Sequence, residues 1–226
     1  YVTPYGVIYD NGIQMEELYD GVHFPCYLYD QSELVLGVFS QTGWDGVPTW
    51  LYLPMPERQL ERLLERDCLT PENAGYKITN SALSAKVRYI AEKPGSSILE
   101  LNEMCAAISM LDKHGRTKLD AVIEMAGPEN PLQIGRLAKS LDQFDFVPNI
   151  CSAEDYGRYL IQESGRFSFD ENLDSYYNYQ TCGQNQMDSE TGMFVPEGYV
   201  ICQRALSLDE LLPETSEEQD LEMGGL

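Results

Sequence analysis

Carboxylates are the residues of this chain with the numbers and spacing to do chemistry. Between Leu141 and Tyr199 eleven of them (Asp142, Asp145, Glu154, Asp155, Glu163, Asp170, Glu171, Asp174, Asp188, Glu190 and Glu197) stand against two cations, Arg158 and Arg166. Three chemistries are open to such a set. A pair of carboxyls ~5–10 Å apart can hydrolyse a glycosidic bond, but a fold with this many acids brings some pair into that range whatever it does. Asp170-Glu171-Asn172-Leu173-Asp174 opens like a calcium loop. Its sixth position is Ser175 where the sharp turn needs glycine, and its twelfth is Thr181 where the ion needs a bidentate Glu. That segment reads as an acidic loop that starts a helix, and no metal is expected. The third chemistry is electrostatic: carboxylates held outward on a rigid body form a field that attracts a basic partner. The candidates for that role are Asp142, Asp145, Glu154, Asp155, Glu163, Asp170, Glu171 and Asp174.

Other reactive types offer little. The chain has two histidines, His23 and His114. His23 lies three residues before Cys26 in a strand-like run, where the two side chains point to opposite faces and cannot share a proton. His114, followed by Gly115, reads as the end of a helix, where an imidazolium would complement the dipole. No G-x-x-x-x-G-K-[ST], G-x-G-x-x-G, H-E-x-x-H or G-x-S-x-G occurs. The six cysteines (Cys26, Cys68, Cys105, Cys151, Cys182 and Cys202) show no C-x-x-C spacing and no secretory signal precedes them; Cys105 and Cys202 sit in apolar runs and read as small core residues. A reduced, cytoplasmic protein without cofactor is expected. No apolar run approaches the ~18 residues that a membrane span needs.

Charge decides the partner class. The net charge is −22, and residues 142–226 contribute 18 acidic against 3 basic side chains, compared with 19 and 12 in residues 1–141. Such a chain repels nucleic acid and acidic membrane surfaces and attracts basic proteins, less so as salt rises. The same stretch is rich in aromatics: Phe144, Phe146, Tyr156, Tyr159, Phe167, Phe169, Tyr176, Tyr177, Tyr179, Phe194 and Tyr199. A disordered acidic tail would lack them, because it cannot bury enough apolar surface to order itself. Phe167, Tyr176, Tyr177 and Tyr179 could stack bases only beside a positively charged groove. The stretch has none, so all four are assigned to the core, and direct nucleic-acid binding is not expected.

The elements that must position these residues follow from periodicity and turn signals. Tyr5–Tyr9, Val22–Tyr29, Leu34–Phe39 and Thr49–Leu53 read as strands, with a loop at Gln41–Pro48 carrying Trp44. Pro56 opens a helix over Glu57–Asp67 with Leu60, Leu63 and Leu64 on one face, and Tyr76–Thr79 is a short strand. The period then becomes 3.6. Asn80 is expected to cap a helix through Glu92; Ser97 with Glu100 forms a capping box; Lys118–Met125 and a segment opened by Asn130-Pro131 follow. Phe144–Val147 is a strand, Ser152 starts a helix that Gly165 ends, Leu173–Thr181 reads as helical, and Gly192–Val195 with Tyr199–Gln203 make a hairpin. The expected fold is α+β in three small domains: 1–80 with its leading strands, a helical 81–141, and an acidic, aromatic 142–204, followed by an acidic tail over 205–226.

The order of these features resembles the ArdA antirestriction protein family. Pro48-Thr49-Trp50-Leu51-Tyr52-Leu53-Pro54, the Leu60/Leu63/Leu64 helix and Tyr76-Lys77-Ile78-Thr79 are similar to its first domain. Ile98–Leu141, opened by Leu101-Asn102-Glu103, is similar to its middle domain, and Glu154-Asp155-Tyr156-Gly157-Arg158-Tyr159-Leu160-Ile161 resembles its antirestriction motif region. Tyr177-Asn178-Tyr179, Gly192-Met193-Phe194 and Gly198-Tyr199-Val200 are similar to its C-terminal segment, so that the resemblance spans about Leu34–Gln203. It implies an elongated three-domain protein, usually a homodimer, whose carboxylates imitate DNA phosphates and occupy the DNA groove of type I restriction–modification enzymes. On that reading the eight carboxylates named above are phosphate surrogates, and Tyr156, Tyr159 and Leu160 serve the scaffold or a dimer interface. The alternatives are a generic acidic module for basic nucleic-acid-binding proteins and a hydrolase built on two carboxylates.

Overall fold

The computed structural model describes residues 2–3, 6–7, 32–40, 48–66, 68–70 and 74–203. The expected strand Val22–Tyr29, most of Tyr5–Tyr9, Trp44 with its loop, His23, Cys26 and the acidic tail lie outside the described residues. The fold is mixed α+β, and it divides into two compact units, Tyr1–Met110 and Leu111–Leu226. The helical block expected over 81–141 straddles that boundary. No helix among the described residues is long and apolar enough to cross a membrane.

In the first unit the short strands β1 (Val2–Thr3) and β2 (Gly6–Val7) pair antiparallel. The main sheet has the order β4-β3-β5, with β3 (Leu34–Ser40) between β4 (Thr49–Leu53) and β5 (Ala74–Ser81), all antiparallel. Leu34 faces Leu53 and Leu36 faces Leu51 in the register, and all four are fully buried. Alternation therefore builds one apolar face. Helix α1 (Glu57–Arg66) contributes Leu60 and Leu64 to the core, with Leu63 half-buried at its margin.

The strand β5 runs further than its sequence suggests. Asn80 pairs with Val35 inside the sheet and does not cap a helix. A register shift beside Val35 leaves Thr79 as an extra residue, whose hydroxyl donates to the Val35 carbonyl at 3.0 Å. The cap comes from Ser84, which accepts from the Val87 N–H and starts α2 (Ala85–Ala91). The Ser97–Glu100 capping box opens α3 (Ile98–Ser109), with both reciprocal hydrogen bonds made. One side chain ties α3 to the end of β4: Asn102 accepts from the Met55 N–H and donates to the Met55 carbonyl, each at 2.9 Å.

In the second unit Asp112 caps α4 (Lys113–Ala126) by accepting from the Gly115 N–H. Gly115 and His114 thus lie in the first turn of a helix, not at the end of one. The helix C-terminus that an imidazolium would complement is therefore not at His114. Gly127, at φ 60°, ends α4 in the left-handed conformation. Asn130 caps α5 (Pro131–Lys139), and a 3₁₀ turn, Leu141–Gln143, leads into β6 (Phe144–Pro148). Then come α6 (Ala153–Gln162), a 3₁₀ helix over Glu171–Tyr176, α7 (Tyr179–Met187), β7 (Thr191–Val195) and β8 (Gly198–Cys202). The helical reading of Leu173–Thr181 is therefore split: Tyr177 is extended between a 3₁₀ end and a new cap at Asn178.

The sheet order is β6-β8-β7, antiparallel. Every residue of the central β8 is buried, because both faces are covered. Tyr199 and Ile201 pack with Val147, Tyr156 and Leu160 on the α6 face, while α4 contacts all three strands.

Asn102→Ala leaves the Met55 N–H and carbonyl without their partner. It is expected to cost about 2 kcal/mol in chemical denaturation, and Asn102→Asp is expected to restore none of it, because a carboxylate oxygen would then face the Met55 carbonyl.

Candidate functional site

All eight predicted carboxylates lie in the second unit, and the elements that carry them treat them differently. Asp142, Glu154, Glu163, Asp170, Glu171 and Asp174 are exposed, and Asp145 and Asp155 are half-buried. Glu154 and Asp155 occupy the first turn of α6, whose N-terminal dipole favours negative charge. Ser152, the cap of that helix, accepts from the Asp155 N–H at 3.1 Å and donates to Asp155 Oδ2 at 2.7 Å. The Ser152 hydroxyl is the main cause that holds the Asp155 carboxyl below the usual carboxylate range, helped by the Cys151 and Ser152 backbone and by Arg158. Asp155 is therefore ionised at neutral pH, and its capping contribution is lost only as pH falls through that lowered value.

Two more are fixed by hydrogen bonds. Asp170 caps the 3₁₀ helix by accepting from the Asn172 N–H at 2.9 Å. The acidic loop over Asp170–Asp174 is thus a helix start, and among the described residues no three His, Cys, Asp or Glu side chains converge as a metal site. Asp174 accepts from the Tyr179 hydroxyl at 2.6 Å and from the Gln162 amide at 3.0 Å, which ties the loop to both α6 and α7. Burial first, and then that bond to Asp174, push the Tyr179 phenol pKa up. The cation in this neighbourhood is spoken for: Arg158 pairs with Glu154 at 3.3 Å and lies 4.5 Å from the centre of the Tyr179 ring.

Of the three predicted scaffold residues, Tyr156 and Leu160 are buried within the chain and Tyr159 is half-buried. The Tyr156 and Tyr199 rings are 4.7 Å apart. Both phenols are raised, chiefly by burial and then by the Glu190 carboxylate beside them, Tyr199 to about 12. Glu190 accepts from the Gln186 amide through Oε2 at 2.9 Å, while its Oε1 is buried without a hydrogen-bond partner. Glu190 and Asp145 line an open cleft of about 490 Å³ together with Arg166, Ser189 and Thr191. Neither acid is fully buried, so the cleft lacks the pair of deeply buried carboxyls that a hydrolase reading calls for.

The two helices that flank the acidic loop approach unusually closely. Among the described elements, α6 and α7 share the most extensive contact. A Cβ on Gly157 would collide with the Tyr179 carbonyl, and one on Gly183 with the Ala153 carbonyl. Nothing larger than glycine fits at either crossing point.

A family model described as "Antirestriction protein (ArdA)" matches residues 46–201. The chain belongs to the ArdA antirestriction protein family. The match takes in every element from β4 through β7 and all but the last residue of β8, and so includes the whole carboxylate array. No curated protein matches the chain.

The aromatic assignment needs correction within this ArdA-family chain. Tyr179 is buried and Tyr177 half-buried, but Phe167 and Tyr176 are exposed. They belong to the segment between Gly165 and Asn178, whose 3₁₀ helix over Glu171–Tyr176 buries none of its residues.

Two outcomes check this geometry. Gly157→Ala is expected to lower stability by about 3 kcal/mol in thermal or denaturant melts, since backbone must move to admit the methyl group. Ser152→Ala is expected to cost about 1 kcal/mol and to move the Asp155 carboxyl titration, followed by NMR, up toward the ordinary carboxylate range.

Proposed function

We propose that this ArdA-family chain is a non-enzymatic DNA mimic that blocks type I restriction–modification enzymes by placing its carboxylates in their DNA groove. The observation that carries the reading is the arrangement in the second unit. Six of the eight predicted carboxylates face solvent, and Asp155, Asp170 and Asp174 are held by specific hydrogen bonds. A groove that binds duplex DNA is lined to neutralise one charge per ~1.7 Å of axis. Fixed carboxylates at comparable density satisfy the same Lys and Arg side chains without the ordering cost that a flexible acidic tail would meet.

Asp142, Asp145, Glu154, Asp155, Glu163, Asp170, Glu171 and Asp174 are the phosphate surrogates in this proposal. On the expected division into domains 1–80, 81–141 and 142–204, the last of these is the contacting part in this proposal. The homodimer implied by the resemblance would draw on Tyr159, since Tyr156 and Leu160 are committed to the core of their own chain. The protein acts in the cytoplasm, where its target works, and needs no cofactor.

Asp142, Glu154, Glu163 and Glu171 suit the test because their side chains do not cap a helix through hydrogen bonds to its backbone. Reversing any one to Lys is expected to change affinity for a type I methyltransferase by less than about fivefold, because exposed pairs contribute ~0–1 kcal/mol each. Reversing all four should abolish competition with DNA. Unchanged competition by the fourfold variant, at unchanged salt dependence, would sink the proposal. Equal affinity of the parent protein for poly-lysine and for the methyltransferase would favour the generic acidic module instead.

A further inference from the structure

The loop from α6 to α7 holds large apolar side chains in water. Phe167 is 54 % exposed, Leu173 47 % and Tyr176 82 %. One exposed apolar residue is ordinary; three within ten residues of one loop mark a contact surface. The loop is also pinned. Gly165, at φ +70°, turns the chain out of α6. The Phe169 and Tyr177 rings pack 5.7 Å apart, and the Tyr177 hydroxyl accepts from the Asp170 N–H at 3.3 Å. The Asp174 bonds to Gln162 and Tyr179 fix the far end. Half of the loop's aromatics thus turn inward to hold it, and Phe167 and Tyr176 point outward from a backbone that is already ordered.

Whatever covers this patch must also accept Asp170, Glu171 and Asp174, which alternate with it along the chain. A second copy seated across a two-fold axis would set those carboxylates against themselves. The chain's own residues 205–226 carry seven carboxylates and no Lys or Arg, and meet the same repulsion. A basic protein surface meets both demands. Arg and Lys lay their aliphatic stems or guanidinium planes on aromatic faces while their charged ends reach carboxylates.

We propose that Phe167, Leu173 and Tyr176, interleaved along the loop with Asp170, Glu171 and Asp174, form an apolar anchor that docks on an Arg- and Lys-rich protein surface. Charge brings the partner in; the anchor slows its departure and separates a protein groove from a mere polycation. The partner's identity as a restriction enzyme rests on the function proposed above, whereas the anchor itself rests on the loop.

The test is the charge-neutral triple variant F167S/L173S/Y176S, with Tyr176→Ser alone as a milder companion should the triple variant melt early. Affinities are measured for a type I methyltransferase and for poly-lysine, across a salt series. The triple variant is expected to lose about tenfold or more on the methyltransferase, Tyr176→Ser severalfold, and neither more than about twofold on poly-lysine. The salt slope should stay that of the parent. Parental affinity of both variants for the methyltransferase, while the fourfold carboxylate reversal abolishes binding, overturns the anchor and leaves the mimicry standing. A fall from dimer to monomer in light scattering on making the triple variant also overturns it, because the patch then belongs to a second copy. Failure of the parent itself to bind the methyltransferase removes the functional reading and this partner with it.

Discussion

The backbones of α6 and α7 touch at two glycines, and most of what the second unit displays depends on that contact. Gly157 and Gly183 each leave room for a carbonyl of the opposite helix. Side chains cannot keep these helices apart, and Tyr156 of α6 and Tyr179 of α7 are both buried. The residues between the helices have no slack in direction. They leave α6 through Gly165, close on themselves through Phe169 and Tyr177, and return to α7 at the Asn178 cap. Which carboxylates and which rings face out is settled by that closure. A surface feature of the loop is thus a consequence of backbone packing beneath it.

Crowding like charges on one small unit costs stability, and the structure offsets it locally. Acids sit where a helix or a turn offers N–H groups: Asp155 in the first turn of α6, Asp170 at a 3₁₀ start. A carboxylate that accepts backbone and hydroxyl hydrogen bonds is stabilised in its charged form, so the same contact that orders the local chain also keeps the charge on. Asp174 does the equivalent with a phenol and an amide. Arg158 pairs with Glu154 at the helix surface and lies over Tyr179. The acidic surface and the fold's stability are therefore served by overlapping sets of contacts.

Much of the helical part was legible in the sequence because capping chemistry is local. Ser97 with Glu100, Asn130 before Pro131, and Ser152 all act where their types and spacing place them. The misreadings have local causes too. Gly115 reads as a stop in the sequence, but the Asp112 side chain accepts from its N–H and makes it a start, so a glycine three residues after an Asp carries the opposite meaning. Asn80 reads as a cap in the sequence, but β5 continues through it beside Val35; strand pairing with a residue 45 positions away leaves no mark on the local sequence. The carboxylates were legible as a set, and so was the helix start at Asp170, whereas the tether of Asp174 was not, since its hydrogen bond from Gln162 joins residues twelve apart.

The aromatics show where composition alone misleads. Rings in an acidic stretch argue for a core, and Tyr156, Tyr179 and Tyr199 supply one. A three-stranded sheet with helices on its faces has a limited number of inward positions, however. Phe144, Tyr156 and Tyr199 fill inward positions and Phe169 with Tyr177 close the loop, while Phe167 and Tyr176 stay exposed. An apolar surplus presented on an ordered, negatively charged loop is a contact awaiting a cationic partner: water leaves the rings when the partner binds, and the carboxylates that repel other acidic chains hold a basic one in place.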